Sequence, residues 1–212
     1  SWRPRRPPRS YPDPSPTCYA STPLPATRET AAVSYLIDCR KNWALPESLL
    51  ESETDPIRRR NLETMIAHAK AEAKPDFEAL MDTVAENARY TSYTPGGGDD
   101  NSPTGKEGVT NYYKAIVGSG CNHIEHAVER IAVDREVIMT EGDMKMAYPG
   151  AVLKAMGIDV PDESGHYLYL SRLIIIWGFD ENGLVTCEDS YDGGDFPGFD
   201  GIAERPISMD QI

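Results

Sequence analysis

The stretch Tyr167-Leu-Tyr-Leu-Ser-Arg-Leu-Ile-Ile-Ile-Trp-Gly-Phe179, then Asp180-Glu-Asn-Gly183, then Leu184-Val-Thr-Cys-Glu-Asp-Ser-Tyr-Asp-Gly-Gly194 decides the fold. Its first run is dense in β-branched and aromatic residues. Its middle four residues are turn formers ending in Asn-Gly, and its last run is strand-like again. The pattern predicts a long β-hairpin. Leu173 to Trp177 is too apolar for a strand with one wet face, so both faces are expected to be covered. Beyond Val185 the returning strand turns polar, with Glu188, Asp189, Ser190, Tyr191 and Asp192. Carboxylates continuing out of a buried strand either reach water or line a pocket.

Upstream, Asp55-Pro56 opens a helix whose Leu62, Met65, Ile66, Ala69 and Ala73 form one apolar stripe. Phe77, Leu80, Met81 and Val84 mark a shorter second helix. Arg89 to Tyr93 reads as a short strand, and 95–103 as a loop. Its three glycines lack the Gly-Lys-Ser/Thr of a phosphate cradle. Thr104 followed by Glu107 predicts a capping box at the start of a third helix. Val109, Tyr112, Tyr113, Ile116 and Val117 form that helix's apolar face, and Gly118 is its expected stop. A second hairpin over 124–148 follows, then an insertion at 149–166 with a short helix, Ala151 to Met156. Helices first and strands after predict an α+β fold, a cone-shaped curved antiparallel sheet packed on three N-terminal helices. The expected units are a Pro/Arg-rich arm and short helical extension over 1–55, a cone domain over 56–194, and an irregular tail over 195–212. Within the extension, Pro46 is expected to break between two short helical patterns.

The chain has 212 residues, 40% hydrophobic and 26% charged, which suits one domain with decoration. A net charge of −13 argues against nucleic acid or an anionic membrane as partner of the main body. No apolar run approaches the roughly 20 residues of a membrane span. The early arginines are not followed by an apolar core, so no secretory signal is expected. Cys18, Cys39, Cys121 and Cys187 show no CxxC and no metal spacing, which favours reduced thiols in a cytoplasm. Residues 1–30 are locally basic, with five arginines against Asp13 and Glu29. Such an arm is a loose tail, a strap lying on this body or on a partner subunit, or a PxxP ligand for another domain.

Three segments resemble a known family. Thr104-Gly-Lys-Glu-Gly-Val-Thr-Asn-Tyr-Tyr113 and His126-Ala-Val-Glu-Arg-Ile-Ala-Val-Asp134 are similar to segments of the nuclear-transport-factor-2-like superfamily, SnoaL-like branch. Cys187-Glu-Asp-Ser-Tyr-Asp192 resembles that branch's closing strand. The resemblance covers about residues 56–194. It implies a cone-shaped α+β barrel, often dimeric through the outer sheet face. It also implies a cofactor-free enzyme acting on a hydrophobic oxygenated small molecule by dehydration, isomerisation or cyclisation. A non-catalytic binding or assembly module and an epoxide hydrolase-like enzyme remain the alternatives.

Alternation places Val185, Cys187, Asp189 and Tyr191 on one strand face, and the more apolar set is expected to face the cone. Asp189 is thereby the first catalytic candidate, a carboxyl whose pKa burial would raise. The resemblance agrees, because epoxide hydrolases of the fold use an Asp at the matching position. His126 is the second, a proton-transfer group suited to carbon next to a carbonyl. Tyr90 and Tyr93 are the oxyanion donors. Arg172, Tyr191, Tyr113 and Trp177 complete the expected substrate-binding set, with Arg172 paired to Asp189 or Glu188. The aspartates between 189 and 200 do not match a calcium loop, so no metal is expected, and the resemblance implies no cofactor. Ketosteroid isomerase chemistry is disfavoured because Ser92 and the Leu173–Ile176 run stand where that activity needs carboxylates. The Arg-x-Asp of the epoxide hydrolases is also incomplete, since Ile174 follows Arg172.

Overall fold

Asp55 fixes the start of the longest helix. Its carboxylate accepts from the backbone N–H groups of Ile57 and Arg58 at 3.0 and 3.1 Å, and Pro56 occupies the first turn. Helix α2 (Pro56–Ala73) buries the expected stripe of Leu62, Met65, Ile66 and Ala69, and with it Asn61 and His68. The structure, a computed structural model, describes residues 36–93 and 102–212. The expectations for the basic arm before residue 36 and for the triple-glycine loop lie outside the described residues.

Before α2, α1 (Ala44–Leu50) contains Pro46 in its first turn, where a missing N–H costs nothing, so Pro46 does not break the helix. Helix α3 (Phe77–Asp82) follows α2, with the Asp76 carboxylate capping it through Ala79 N–H. Helix α4 (Gly105–Ser119) begins after Thr104 without the expected capping box. The Thr104 hydroxyl donates instead to the Ser102 carbonyl at 3.2 Å. The helix runs past Gly118 and stops at Gly120, whose φ of +78° supplies the left-handed cap.

Six strands form one curved sheet among the described residues: β1 (Thr91–Ser92), β2 (Ile124–Val133), β3 (Val137–Pro149), β4 (His166–Phe179), β5 (Val185–Gly198) and β6 (Pro206–Ile207). The spatial order is β1-β5-β4-β3-β2, with β6 also paired to β4. Both predicted hairpins form, β2–β3 and β4–β5. The sheet is mixed rather than wholly antiparallel, because β1 pairs with β5 in parallel. Helix α5 (Gly150–Ala155) occupies the insertion. The C-terminal stretch is not irregular throughout. Strand β5 runs on to Gly198, β6 adds to the sheet, and Ile202 and Ile207 are buried.

The helices fill the concave face. Leu62, Met65, Leu80, Val84, Val109, Tyr113, Ile138, Ile175 and Trp177 make one core there, each fully buried large aliphatic contributing about 1.5–3 kcal/mol. Three irregularities re-aim strands, one of them between Leu170, which pairs Gly198, and Arg172, which pairs Gly193. The β2–β3 register shifts between Val128 and Arg130, and in β4–β5 Gly178 pairs Cys187 while Phe179 pairs Val185, leaving Thr186 as an extra residue. Strands β2 and β3 approach closely at Gly142, where an added Cβ would sit 2.0 Å from the Ala127 carbonyl oxygen. Gly142→Ala should therefore cost about 2 kcal/mol, readable as a lower midpoint in thermal denaturation. An unchanged midpoint would contradict the close approach. No helix among the described residues is long and apolar enough to cross a membrane.

Candidate active site

Between the sheet and the helices lies a cavity of about 750 Å³, large enough for a drug-sized molecule. Its middle is lined by Met144, Leu173, Ile175 and Trp177. Polar groups gather at both ends.

At one end stand two glutamates. Glu188 comes from β5, and Glu72 comes from the last turn of α2, one turn beyond the buried His68. Removal from water raises the pKa of Glu72, and the charge of Glu188 raises it further. The Glu188 carboxyl is likewise raised by desolvation, with the nearby hydroxyl of Tyr113 opposing. Two carboxyls sharing an apolar site cannot both ionise cheaply, so the pair holds one proton near neutral pH.

The wall behind Glu188 locates that proton. The Thr83 hydroxyl donates to the Leu80 carbonyl at 2.6 Å, so its oxygen must accept from His68 Nδ1–H at 2.7 Å. His68 Nε2 is then a bare acceptor if the ring is neutral. Burial pushes the His68 pKa down to about 3, so the ring is neutral. The Tyr113 hydroxyl lies 2.8 Å from Nε2 and 2.9 Å from Glu188 Oε2. It has one proton for two acceptors. The chain closes with every donor used only if Tyr113 donates to His68 and Glu188, as a neutral acid, donates to Tyr113. An ionised Glu188 would take the Tyr113 proton and leave His68 Nε2 facing an oxygen lone pair. The hydrogen-bond count favours a protonated Glu188, and desolvation raises the pKa of both carboxyls, so the pair shares the proton.

Tyr90 completes this end. It is buried and lines the cavity, and its hydroxyl has no hydrogen bond. The Tyr113 hydroxyl is close by, but the two do not meet in bonding geometry. Burial and the neighbouring glutamates raise the Tyr90 pKa, so it remains a donor at all ordinary pH values.

His126 belongs to the other end. It is buried, and its backbone N–H donates to Asn42 Oδ1 at 2.6 Å. The Leu173 backbone lies near its ring without a bond in good geometry, and Nε2 has no hydrogen-bond partner; with the ring proton on Nδ1, Nε2 is a bare acceptor. Desolvation drives its pKa down to about 4. Asn42 is held over this edge by a buried carboxylate. Glu125 accepts from Asp38 N–H at 2.7 Å, from Lys41 at 2.9 Å and from Lys145 at 3.1 Å.

Of the expected site residues, His126, Tyr90 and Trp177 line the cavity, and Tyr113 stands directly behind it. Asp189 does not. The extra residue at Thr186 lets Val185 face the core and then turns Glu188, Ser190 and Asp192 inward, so the face assigned by simple alternation is reversed. Asp189 instead accepts from Thr91 N–H at 3.1 Å. Tyr93 and Tyr191 also lie outside the cavity, stacked on each other at 4.6 Å and about half exposed. Arg172 points outward between Ser171 and Leu173, where it pairs with Glu129, Glu141 and Asp143 of neighbouring strands rather than with Asp189 or Glu188. Glu188 was named only as a carboxylate of the returning strand and a partner for Arg172, and Glu72, His68 and Asn42 were not singled out. Glu72 sits three residues after Ala69 on the buried stripe of α2, the one signal that marked it. Among the described residues no cluster of three His, Cys, Asp or Glu side chains is arranged to hold a metal.

No protein-family model and no curated protein matches the chain. Solved structures do. A candidate SnoaL-like polyketide cyclase from Shewanella putrefaciens CN-32 aligns over 70% of this chain and 86% of its own, with a TM-score of 0.53 at 11% identity. A second one, from Shewanella denitrificans OS-217, aligns over 66% and 92%, with 0.52 at 13%. An LEH-like epoxide hydrolase from M. tuberculosis aligns over 69% and 91%, with 0.51 at 13%. At these identities the likeness is one of fold.

Proposed function

We propose that this chain, with its nuclear-transport-factor-2-like cone of SnoaL-like form, is an acid/base enzyme that moves a proton at carbon in a hydrophobic oxygenated small molecule. The observation that carries the reading is the pair Glu72 and Glu188, two carboxyls in one apolar cavity with a single proton between them. A substrate carbonyl accepts from the free Tyr90 hydroxyl. The ionised carboxyl of the pair takes the proton from the adjacent carbon, and the enolate charge falls on the oxygen held by Tyr90. The protonated carboxyl then returns a proton to a distant carbon, which is isomerisation, or to a β-hydroxyl that leaves as water, which is dehydration. Glu188 and Glu72 thereby replace the roles expected of Asp189 and His126. A ring titrating near 4 is a weak base at neutral pH.

The open cavity favours an enzyme over a module whose cone is filled by side chains. The outward Arg172 removes the cationic member that an epoxide hydrolase arrangement needs. The test is deuterium exchange. Wild-type protein in D2O should exchange the α-protons of members of a panel of cyclic enones faster than buffer, read by proton NMR. Exchange at the same rate in Glu72→Gln/Glu188→Gln would contradict the assignment.

We also propose a homodimer through the outer sheet face, supported by its exposed Val137, Met139, Tyr93 and Tyr191. Met139→Glu should convert a dimer to a monomer in sedimentation. A monomeric wild type would rule the dimer out.

A further inference from the structure

The end of the cavity away from the glutamates carries polar groups that this chemistry does not use. Along one row of the sheet, His126 of β2 lies beside Met144 of β3, which lies beside Ser171 of β4. His126 is 6% exposed and Ser171 1%. His126 Nε2 and Ser171 Oγ both lack a hydrogen-bond partner, and both residues line the cavity. The Tyr169 hydroxyl is near Ser171 but is committed to Asp192 at 2.8 Å. Buried polar atoms in this state carry an uncompensated desolvation cost until something satisfies them. Asn42 adds a donor. A backbone N–H can only donate, so the amide atom it meets at 2.6 Å is Oδ1, which leaves Nδ2 of this cavity-lining residue as the donor.

We propose that this end is a hydroxyl-binding subsite, and that the ligand is an extended apolar molecule with an oxygen function at each end. A hydroxyl matches the groups present. It donates to the bare Nε2 of His126 and accepts from the Asn42 amide or the Ser171 hydroxyl. A carboxylate would meet the imidazole lone pair, and an ammonium would leave the Asn42 donor unused. The neutral state of His126 keeps Nε2 an acceptor over the physiological range. The subsite stands on these atoms alone. Only the carbonyl at the opposite end rests on the acid/base reading.

The register gives the ligand's length. Ser171 marks one end on β4, and Trp177, the partner of Glu188, marks the other. Six residues of strand span about 20 Å. Allowing about 3 Å for a hydrogen bond at each end leaves about 14 Å between the ligand's two oxygens. A volume of about 750 Å³ spread over that length is about 7 Å wide. That shape fits a flat system of three or four rings and is too long for a single ring.

Two fluorescent probes test this, 4-hydroxy-p-terphenyl and 4,4″-dihydroxy-p-terphenyl, titrated against the intact protein. Wild type should bind the diol about tenfold more tightly than the mono-ol. His126→Phe should reduce that gain to about twofold or less, while Glu188→Gln, which keeps a hydrogen-bonding amide at the far end, should preserve it. Wild-type protein that shows the diol gain but does not speed α-proton exchange over buffer would refute the chemistry and keep the subsite. Equal affinity for the two probes in wild type, a comparison that needs no variant, would overturn the subsite, as would an undiminished gain in His126→Phe.

Discussion

Glu188→Gln should lower turnover of a substrate found by the exchange screen by at least about 10²-fold, the usual contribution of a positioned acid or base. The substitution is informative because it spares the wall behind it. The amide that replaces the Glu188 carboxyl can donate to the Tyr113 oxygen, Tyr113 still donates to His68 Nε2, and His68 still donates to Thr83. Every bond of the chain survives, and only the exchangeable proton is lost. KM should change little, because the carboxyl acts in proton transfer more than in ground-state binding. A variant that folds and turns over at the wild-type rate would remove Glu188 from the mechanism. Glu72→Gln should be similarly impaired, and the two losses should not add, because each carboxyl sets the charge state of the other.

The second large effect is on stability. Glu72 and Glu188 have folded pKa values above the ordinary glutamate value of 4.5. Between 4.5 and those raised values the folded state binds more protons than the unfolded state, so stability falls as pH rises through the window. His68 and His126 act in the opposite direction. Their folded pKa values, about 3 and about 4, lie below the ordinary 6.5. The unfolded chain therefore takes up protons first as pH falls below 6.5, and acid destabilises. The two slopes oppose each other between 4.5 and 6.5, and above 6.5 only the carboxyl effect remains. The double variant Glu72→Gln/Glu188→Gln should match wild type near pH 5 and exceed it at pH 9 by on the order of 3 kcal/mol. Denaturant midpoints at the two pH values read this directly. Parallel pH profiles for wild type and variant would mean the carboxyls are not shifted in the fold.

Much of the architecture was legible because local signals agreed with the tertiary result. The Asp55-Pro56 cap, the α2 stripe and the two hairpins each had a local cause that packing did not override. His126 was named for its imidazole and its place in the family pattern, and Tyr90 for its hydroxyl; both line the cavity, as does Trp177. The main error has one source. Alternation assumes an unbroken strand, and one extra residue at Thr186 reverses every side chain after it. Asp189 was therefore assigned to the cavity face that Glu188 occupies. Nothing in Leu184-Val-Thr-Cys-Glu announces the bulge, which is set by how β5 meets Gly178 and Phe179 of β4. His68 was passed over because α2 is covered by the sheet and by α4 together, so its buried arc is wider than one stripe. Asn42 was out of reach because its place depends on Glu125 holding residues 36–42 across the edge of β2.

The most direct measurement is a carbon-13 NMR titration of protein labelled at the glutamate side-chain carboxyls, run from acid to alkaline pH. The account predicts two coupled resonances, assigned through Glu72→Gln and Glu188→Gln, that still change above pH 6 while the other glutamates have finished. If every glutamate completes its titration below about pH 5, the shared proton does not exist and the acid/base reading fails with it.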